Sequence, residues 1–481
     1  MNQKQSYHGQ KQMLTLATLA FFISVMVWFN MAPFQSTIME QLALTENEIG
    51  ALMIVNLALA IPGRILMGRL VDRFGPRNVF SILLLIMSIP CFVFALGTSY
   101  LQLLISRLIL GTIGASFVIG IRMVSEWFPP NQSGLSQGIY AGWGNFGSSF
   151  AALTLPTLAL LFGGENGWRY AMLLTGVLSL IYGVVFYLKA KDAPEWKTFQ
   201  RAKSTKMMEA TSIRDLWLLL AILFPIYGGM AVLVWSLQNT GIISDSLSTF
   251  IYIAIALLYL NNMVKVWKEN KAYLQTKVPD SEKFSMKEVG ILSFSYFATF
   301  GSELAIISML PMFFQETFTI GAVAAGAVAS GFAFTNLIAR PAGGWLSDRF
   351  GSKKVLMSLL LVLSIFYIGM AFLSSSWPIF LALLLTICCS LVSQAASGSV
   401  FSMVSLVKKS RTGQIAGMVG AYGNIGSLCF LAVLNIFFPS FFFIAISLTL
   451  LVCFVATITL RLESTASSTS RQPSRKAAQA N

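Results

Sequence analysis

RILMGRLVDRFGPR, residues 64–77, returns later in the chain as RPAGGWLSDRFGSKK, residues 340–354. The two copies align Arg64 with Arg340, Gly68 with Gly344, and Asp72-Arg73-Phe74-Gly75 with Asp348-Arg349-Phe350-Gly351. Each copy follows an apolar helix, and each sets an arginine eight residues ahead of its aspartate. A second matched pair supports the repeat: GIYAGWGNFGS at 138–148 corresponds to GMVGAYGNIGS at 417–427, so the offset is 276 to 279 residues. Two parallel halves of six helices are the mark of a large class of membrane transporters.

Composition places the chain in a bilayer. Of its 481 residues 56% are hydrophobic and 11% charged, with mean hydropathy +0.72. A soluble domain carries about 25% charged residues. The long apolar runs favour an all-α polytopic protein over a barrel, whose strands alternate in short segments. The net charge of +14 does not point to nucleic acid, because the cations sit in loops on one side. Cys91, Cys388, Cys389, Cys429 and Cys453 lie in apolar runs and read as reduced packing residues. The only histidine is His8, which excludes a histidine relay or histidine metal site. No metal, cofactor or enzyme chemistry is expected, since no nucleotide loop or nucleophile–base pair stands out. The first apolar run reads as a span rather than a cleavable signal.

Apolar runs of about 20 residues predict spans at roughly 13–34, 50–70, 79–97, 100–123, 136–162, 169–189, 289–314, 322–343, 354–373, 377–400, 414–437 and 440–461. The organisation expected is an N-terminal tail (1–12), a first six-helix half (13–189), a basic central insert (190–288), a second half (289–461) and a disordered tail (462–481). The insert carries two further apolar stretches at about 215–237 and 248–267, and such a pair preserves the orientation of the second half. Segments 69–77, 189–214, 265–287, 349–354 and 408–411 are rich in Lys and Arg, whereas the opposite loops hold Glu40, Glu46, Glu48, Asp245 and Glu316. That asymmetry predicts a multi-pass protein of the cell membrane with both termini in the cytoplasm.

Arg64 and Arg340 differ from the loop cations. Eight residues at a rise of 1.5 Å put each about 12 Å inside the membrane from its aspartate. A charge there costs about 2.5–3.5 kcal/mol on insertion scales and needs a partner or a task. One comes from each half, so the two should meet at the central interface, repel when empty, and accept an anion between them. Guanidinium is planar and forked, which suits planar oxyanions. The competing reading pairs each with a carboxylate, for which Glu126 and Glu303 are the candidates. The glycines of 138–147 read mainly as a smooth packing face. Asn145 and Asn424 must find partners inside the membrane, either an anion or a neighbouring helix.

GRLVDRFG and its copy resemble the loop motif of the major facilitator superfamily, and SRLILGTIGAS, with Arg107 and Gly111, resembles that superfamily's fourth-helix motif. The resemblance covers about residues 13–461. AGWGNFGSS and GAYGNIGS look like the paired signature of the nitrate/nitrite porter family, and SYFATFGSE (295–303) is similar to its seventh helix. The resemblance implies a major facilitator fold, two pseudo-symmetric six-helix halves, transporting nitrate and nitrite by alternating access. It also implies an anion clamped by Arg64 and Arg340, faced by Tyr296 and Phe300, with Phe117 as an aromatic lid. Gly68, Asp72, Arg73, Gly75, Gly344, Asp348, Arg349 and Gly351 are then gating residues.

Glu303, one turn beyond Phe300, can titrate, and it is the candidate for coupling uptake to a proton or other cation. Structural pairing is the equal alternative. Drawing an anion into a negative interior is uphill by about 2.3 kcal/mol per charge per 100 mV, so net uptake requires cation coupling. A nitrate/nitrite exchanger, a carrier of another small monovalent or organic anion, and a nitrate receptor are the competing readings. One copy in the lipid bilayer is expected to suffice.

Overall fold

The computed structural model describes residues 3–461 except 196–197, 200, 202–207, 209, 240, 242 and 276–283. The expected disordered tail, 462–481, lies outside the described residues.

Among the described residues, fourteen long helical units run in sequence, with a short helix, Gln35–Gln41, between the first two. The first half comprises α1 (Gln3–Phe29), α2 (Glu46–Phe74), α3 (Pro76–Ala95), α4 (Tyr100–Trp127), α5 (Pro130–Phe162) and α6 (Gly167–Lys189). The insert supplies α7 (Ile213–Asn239) and α8 (Asp245–Leu274). The second half comprises α9 (Met286–Phe318), α10 (Ala322–Phe334 and Asn336–Phe350), α11 (Ser352–Ala371), α12 (Ile379–Val407), α13 (Thr412–Ile436) and α14 (Pro439–Ile458). Helices cover all fourteen expected stretches, and thirteen of them are long and apolar enough to cross a membrane; the stretch at 322–343 is instead divided into two shorter helices. The residues expected as an N-terminal tail largely continue α1, and Gln10 Nε2 donates to the Trp127 carbonyl at 2.8 Å.

The halves match in their breaks as well as their lengths. α2 is interrupted at Leu59 and α10 at Thr335, each five residues before its arginine. Both helices end at glycines with positive φ, Gly75 at 85° and Gly351 at 92°, a conformation that L side chains rarely adopt. That turn starts α3 and α11 immediately. Leu160, Leu161, Leu188 and Ile338 are among many large apolar side chains left exposed, as expected where the surrounding solvent is lipid.

Two helix pairs make the most extensive contacts between the halves: α2 packs on α13, and α5 on α10. Glycines permit both approaches. A Cβ at Gly417 would fall 2.5 Å from the Arg64 carbonyl, and a Cβ at Gly138 would fall 2.5 Å from the Arg340 carbonyl. The glycine stripes therefore serve close packing, as expected for most of them. α7 docks on α13 and α9, where Tyr422 donates to the Ile222 carbonyl at 2.7 Å. α8 packs chiefly on α7.

Candidate functional site

At the motif-loop end, each aspartate holds the opposite half. Asp72 on α2 accepts from the backbone N–H groups of Gly413 and Gln414, at 2.9 and 2.8 Å. Asp348 on α10 accepts from Gly134 and Leu135 at the same two distances. Gly413 and Gln414 lie in the first turn of α13, where unpaired N–H groups favour a negative charge, and Gly134 and Leu135 lie in the second turn of α5. Gly68 and Gly344 let the backbones close up beside these bonds. Asp72 also pairs with Arg122 of α4 at 2.9 Å, and Arg122 pairs with Glu126 one turn on. Both latches are made, so the halves are closed together at this end. Arg73 and Arg349 stack beside Phe74 and on Trp345 and Phe350, outside the central core.

Between the halves, about 12 Å further in by helical rise, Arg64 and Arg340 approach a single ring. Their guanidinium carbons lie 5.7 and 5.0 Å from the centroid of Phe300. Arg64 is also 5.7 Å from the Phe117 ring. Tyr296 stacks on Phe300 with centroids 4.9 Å apart and planes 7° from parallel. Phe401 sets its edge against both Phe117 and Tyr296, at 4.7 Å in each case. The two arginines, Phe117, Tyr296 and Phe300 are all at most 5% exposed.

The arginines have different partners. Arg340 pairs with Glu303 at 2.9 Å, and Asn336 donates to the other Glu303 oxygen at 2.9 Å. Arg64 pairs with no carboxylate among the described residues. It donates to the carbonyls of Gly420 and Gly114. Of the two candidate partners, Glu303 is therefore taken by Arg340, and Glu126 serves Arg122 instead. Asn424 lies one turn beyond Gly420 and is 2% exposed, yet neither its amide oxygen nor its nitrogen finds a hydrogen-bond partner. Asn145 is only partly buried. The two asparagines align in sequence but not in environment.

Arg122, Asn336 and Phe401 were missed in the sequence. Arg122 and Glu126 form an i,i+4 pair within an apolar run, and Asn336 stands four residues before Arg340; both spacings are visible in hindsight. Phe401 carries no such signal in a chain with 38 phenylalanines.

A family model described as Major Facilitator Superfamily matches residues 17–264 and 292–480. The chain is 41% identical over 456 residues to a nitrate/nitrite transporter, NrtP, of Picosynechococcus sp., with 89% of this chain and 85% of that one covered. It is 40% identical over 457 residues to the NrtP of Nostoc punctiforme, covering 93% and 91%. A nitrite extrusion protein of Bacillus subtilis is 25% identical over 413 residues, covering 86% and 84%. Among solved structures, the human organic anion transporter MFSD10 superposes with a TM-score of 0.62 at 15% identity, covering 93% of this chain and 99% of that one. The proton:xylose symporter XylE superposes with a TM-score of 0.61 at 15% identity, covering 94% and 95%. With its two latched six-helix halves, its paired motifs and these relatives, the chain belongs to the nitrate/nitrite porter family of the major facilitator superfamily, a family of secondary transporters and not of enzymes.

Proposed function

We propose that this carrier moves nitrate, and nitrite with it, across the cell membrane by alternating access, and that the anion is held between Arg64 and Arg340. The carrying observation is that both guanidiniums crowd one buried ring while, among the described residues, only Arg340 has a carboxylate. An anion supplies the charge that Arg64 lacks. The aromatic walls formed by Phe117, Tyr296 and Phe300 suit a thin, delocalised ion better than a tetrahedral one. Asn424, buried without a partner, can donate its amide to that ion, and Asn145 can do so from the other half once the halves move.

Glu303 changes the charge balance expected from the arginines alone. Two arginines and one carboxylate give the empty site a charge of +1, which one bound monoanion cancels. If a proton then reaches Glu303, it releases Arg340 to the anion and restores +1. The empty and the doubly loaded site thus carry equal charge, and both can rearrange. This favours proton-coupled uptake in a neutral one-to-one cycle over obligatory exchange. The motif-loop end is taken as cytoplasmic because it carries the Lys/Arg-rich loops. On that orientation, the latched Asp72 and Asp348 support a reading of this state as closed toward the cytoplasm.

Counterflow of labelled nitrate in proteoliposomes tests the clamp, with nitrite, chlorate and formate as competitors. Lysine keeps the charge and loses the fork. Arg64→Lys and Arg340→Lys should each lower the rate about 10- to 100-fold, the worth of one or two hydrogen bonds to a charged group. Normal counterflow in both variants would sink the clamp. Preferential inhibition by a bulkier organic anion would point to the competing substrate class.

A further inference from the structure

We infer a second anion site, outside the transport path, that takes the phosphate group of an anionic phospholipid. At the motif-loop end of the second half, a concavity of about 530 Å³ is lined by Arg214, Lys287, Lys353 and Arg461, with Glu288 the one carboxylate and Ile458 at its edge. The four cations come from four separate places: the start of α7, the start of α9, the start of α11 and the residues after α14. Scattered loop cations that merely orient a membrane protein need not converge in this way.

Two further features favour a ligand. Lys353 is held in position, because its Nζ donates to the carbonyls of Ile458 at 2.7 Å and Leu460 at 2.9 Å. That leaves one ammonium hydrogen for an incoming oxygen. Arg214, Lys287 and Arg461 form no ion pair among the described residues. Three cations with no ion pair among the described residues, set around a fixed fourth, match the several acceptor oxygens of a phosphate.

The neighbourhood decides between a lipid and a free phosphate. Leu448, Val452, Val455 and Ile458 form an exposed apolar stripe along α14, between 50% and 61% exposed, and the stripe ends at the concavity. A lipid can lay an acyl chain along this stripe with its phosphate among the cations, the arrangement expected of basic pockets at the cytoplasmic side of membrane helices. Because Arg214 belongs to the insert and the other three cations to the second half, such a lipid would also fasten α7 to that half.

The test uses the full chain reconstituted in phosphatidylcholine containing phosphatidylglycerol, with retained lipid measured by mass spectrometry after purification. Enrichment of phosphatidylglycerol should fall about fivefold for each cation removed in the series Arg461→Gln, Lys287→Gln, Arg214→Gln. It should persist in a control carrying Lys265→Gln, Lys268→Gln and Lys271→Gln on α8. Arg461→Gln alone, at an exposed helix end, keeps the test decisive should the triple variant not fold. Millimolar inorganic phosphate is the second arm. Failure of phosphate to displace the lipid supports the headgroup, whereas displacement by phosphate, with equal retention of both lipids, would make free phosphate the ligand and overturn the lipid assignment. Equal enrichment in wild type, Arg461→Gln and the α8 control would overturn the site itself.

Discussion

The two halves agree in backbone and disagree in side chains. In each, an aspartate at the motif loop holds two backbone N–H groups at the start of a helix from the other half, and a glycine lets a helix close on the carbonyl of the membrane arginine. The partners then diverge. Asp72 has Arg122, whereas Asp348 forms no ion pair among the described residues; Arg340 has Glu303, whereas Arg64 has two carbonyls. The repeated halves thus share their interface contacts and differ in the charges beside the latch aspartates and the membrane arginines. The latch is strengthened in the first half, and a titratable group stands beside the arginine of the second.

The largest expected effect lies in the latches. Asp72→Asn takes a carboxylate partner from the buried Arg122, and breaking a buried pair costs about 3–5 kcal/mol. Asp348→Asn weakens only charge-assisted bonds to two N–H groups, at about 1–2 kcal/mol. Thermal unfolding in detergent should therefore show the larger drop for Asp72→Asn, and single-molecule distances should show that variant opening more often at the motif-loop end. Equal shifts would mean that Arg122 adds nothing to the latch.

Next come the glycines, where the halves should behave alike. Gly138→Ala and Gly417→Ala each push a methyl group against a backbone carbonyl across the interface. Overpacking of this kind costs about 1–3 kcal/mol, and it falls on the closed arrangement. Both variants should lose transport by about 5- to 150-fold while still inserting in the membrane. Near-normal transport in one of them alone would break the two-fold symmetry of the hinge.

The asparagines follow. Asn424→Ala should raise the KM for nitrate about tenfold, the worth of one hydrogen bond. Asn145→Ala, whose side chain is partly exposed in this state, should change KM less. Initial-rate uptake over a range of nitrate concentrations separates the two. The reverse ranking would move the ligand contact to the first half.

How much of this could be read from the chain depended on the range of the interaction. The repeat, the spans and the positions of Arg64 and Arg340 follow from local pattern and helical rise, and all survive in the fold. The aromatic pair Tyr296 and Phe300 was legible because four residues share a helix face. The difference between Arg64 and Arg340 was not legible. It rests on Glu303 reaching from α9 to α10, a contact across 37 residues, and the aligned sequences around the two arginines look equivalent. The same holds for Asn145 and Asn424, whose similar flanks, WGNFGS and YGNIGS, conceal one partly exposed amide and one buried, unpartnered one.

Glu303 has the smallest expected effect on the exchange rate and the sharpest bearing on the comparison, since no described residue gives Arg64 such a group. Glu303→Gln keeps the size and the hydrogen bond from Asn336 but cannot exchange a proton. The site charge then rises to +2 when empty and +1 with nitrate. The variant should retain nitrate–nitrite counterflow within about tenfold of wild type, because exchange never requires the empty site to rearrange. Net uptake driven by an imposed pH gradient should disappear, and the remaining transport should be flat across pH 5 to about 8. If net uptake in Glu303→Gln still climbs as the outside is acidified, the proton travels elsewhere. Glu303 would then act on Arg340 only as Glu126 acts on Arg122, as a fixed structural counter-charge.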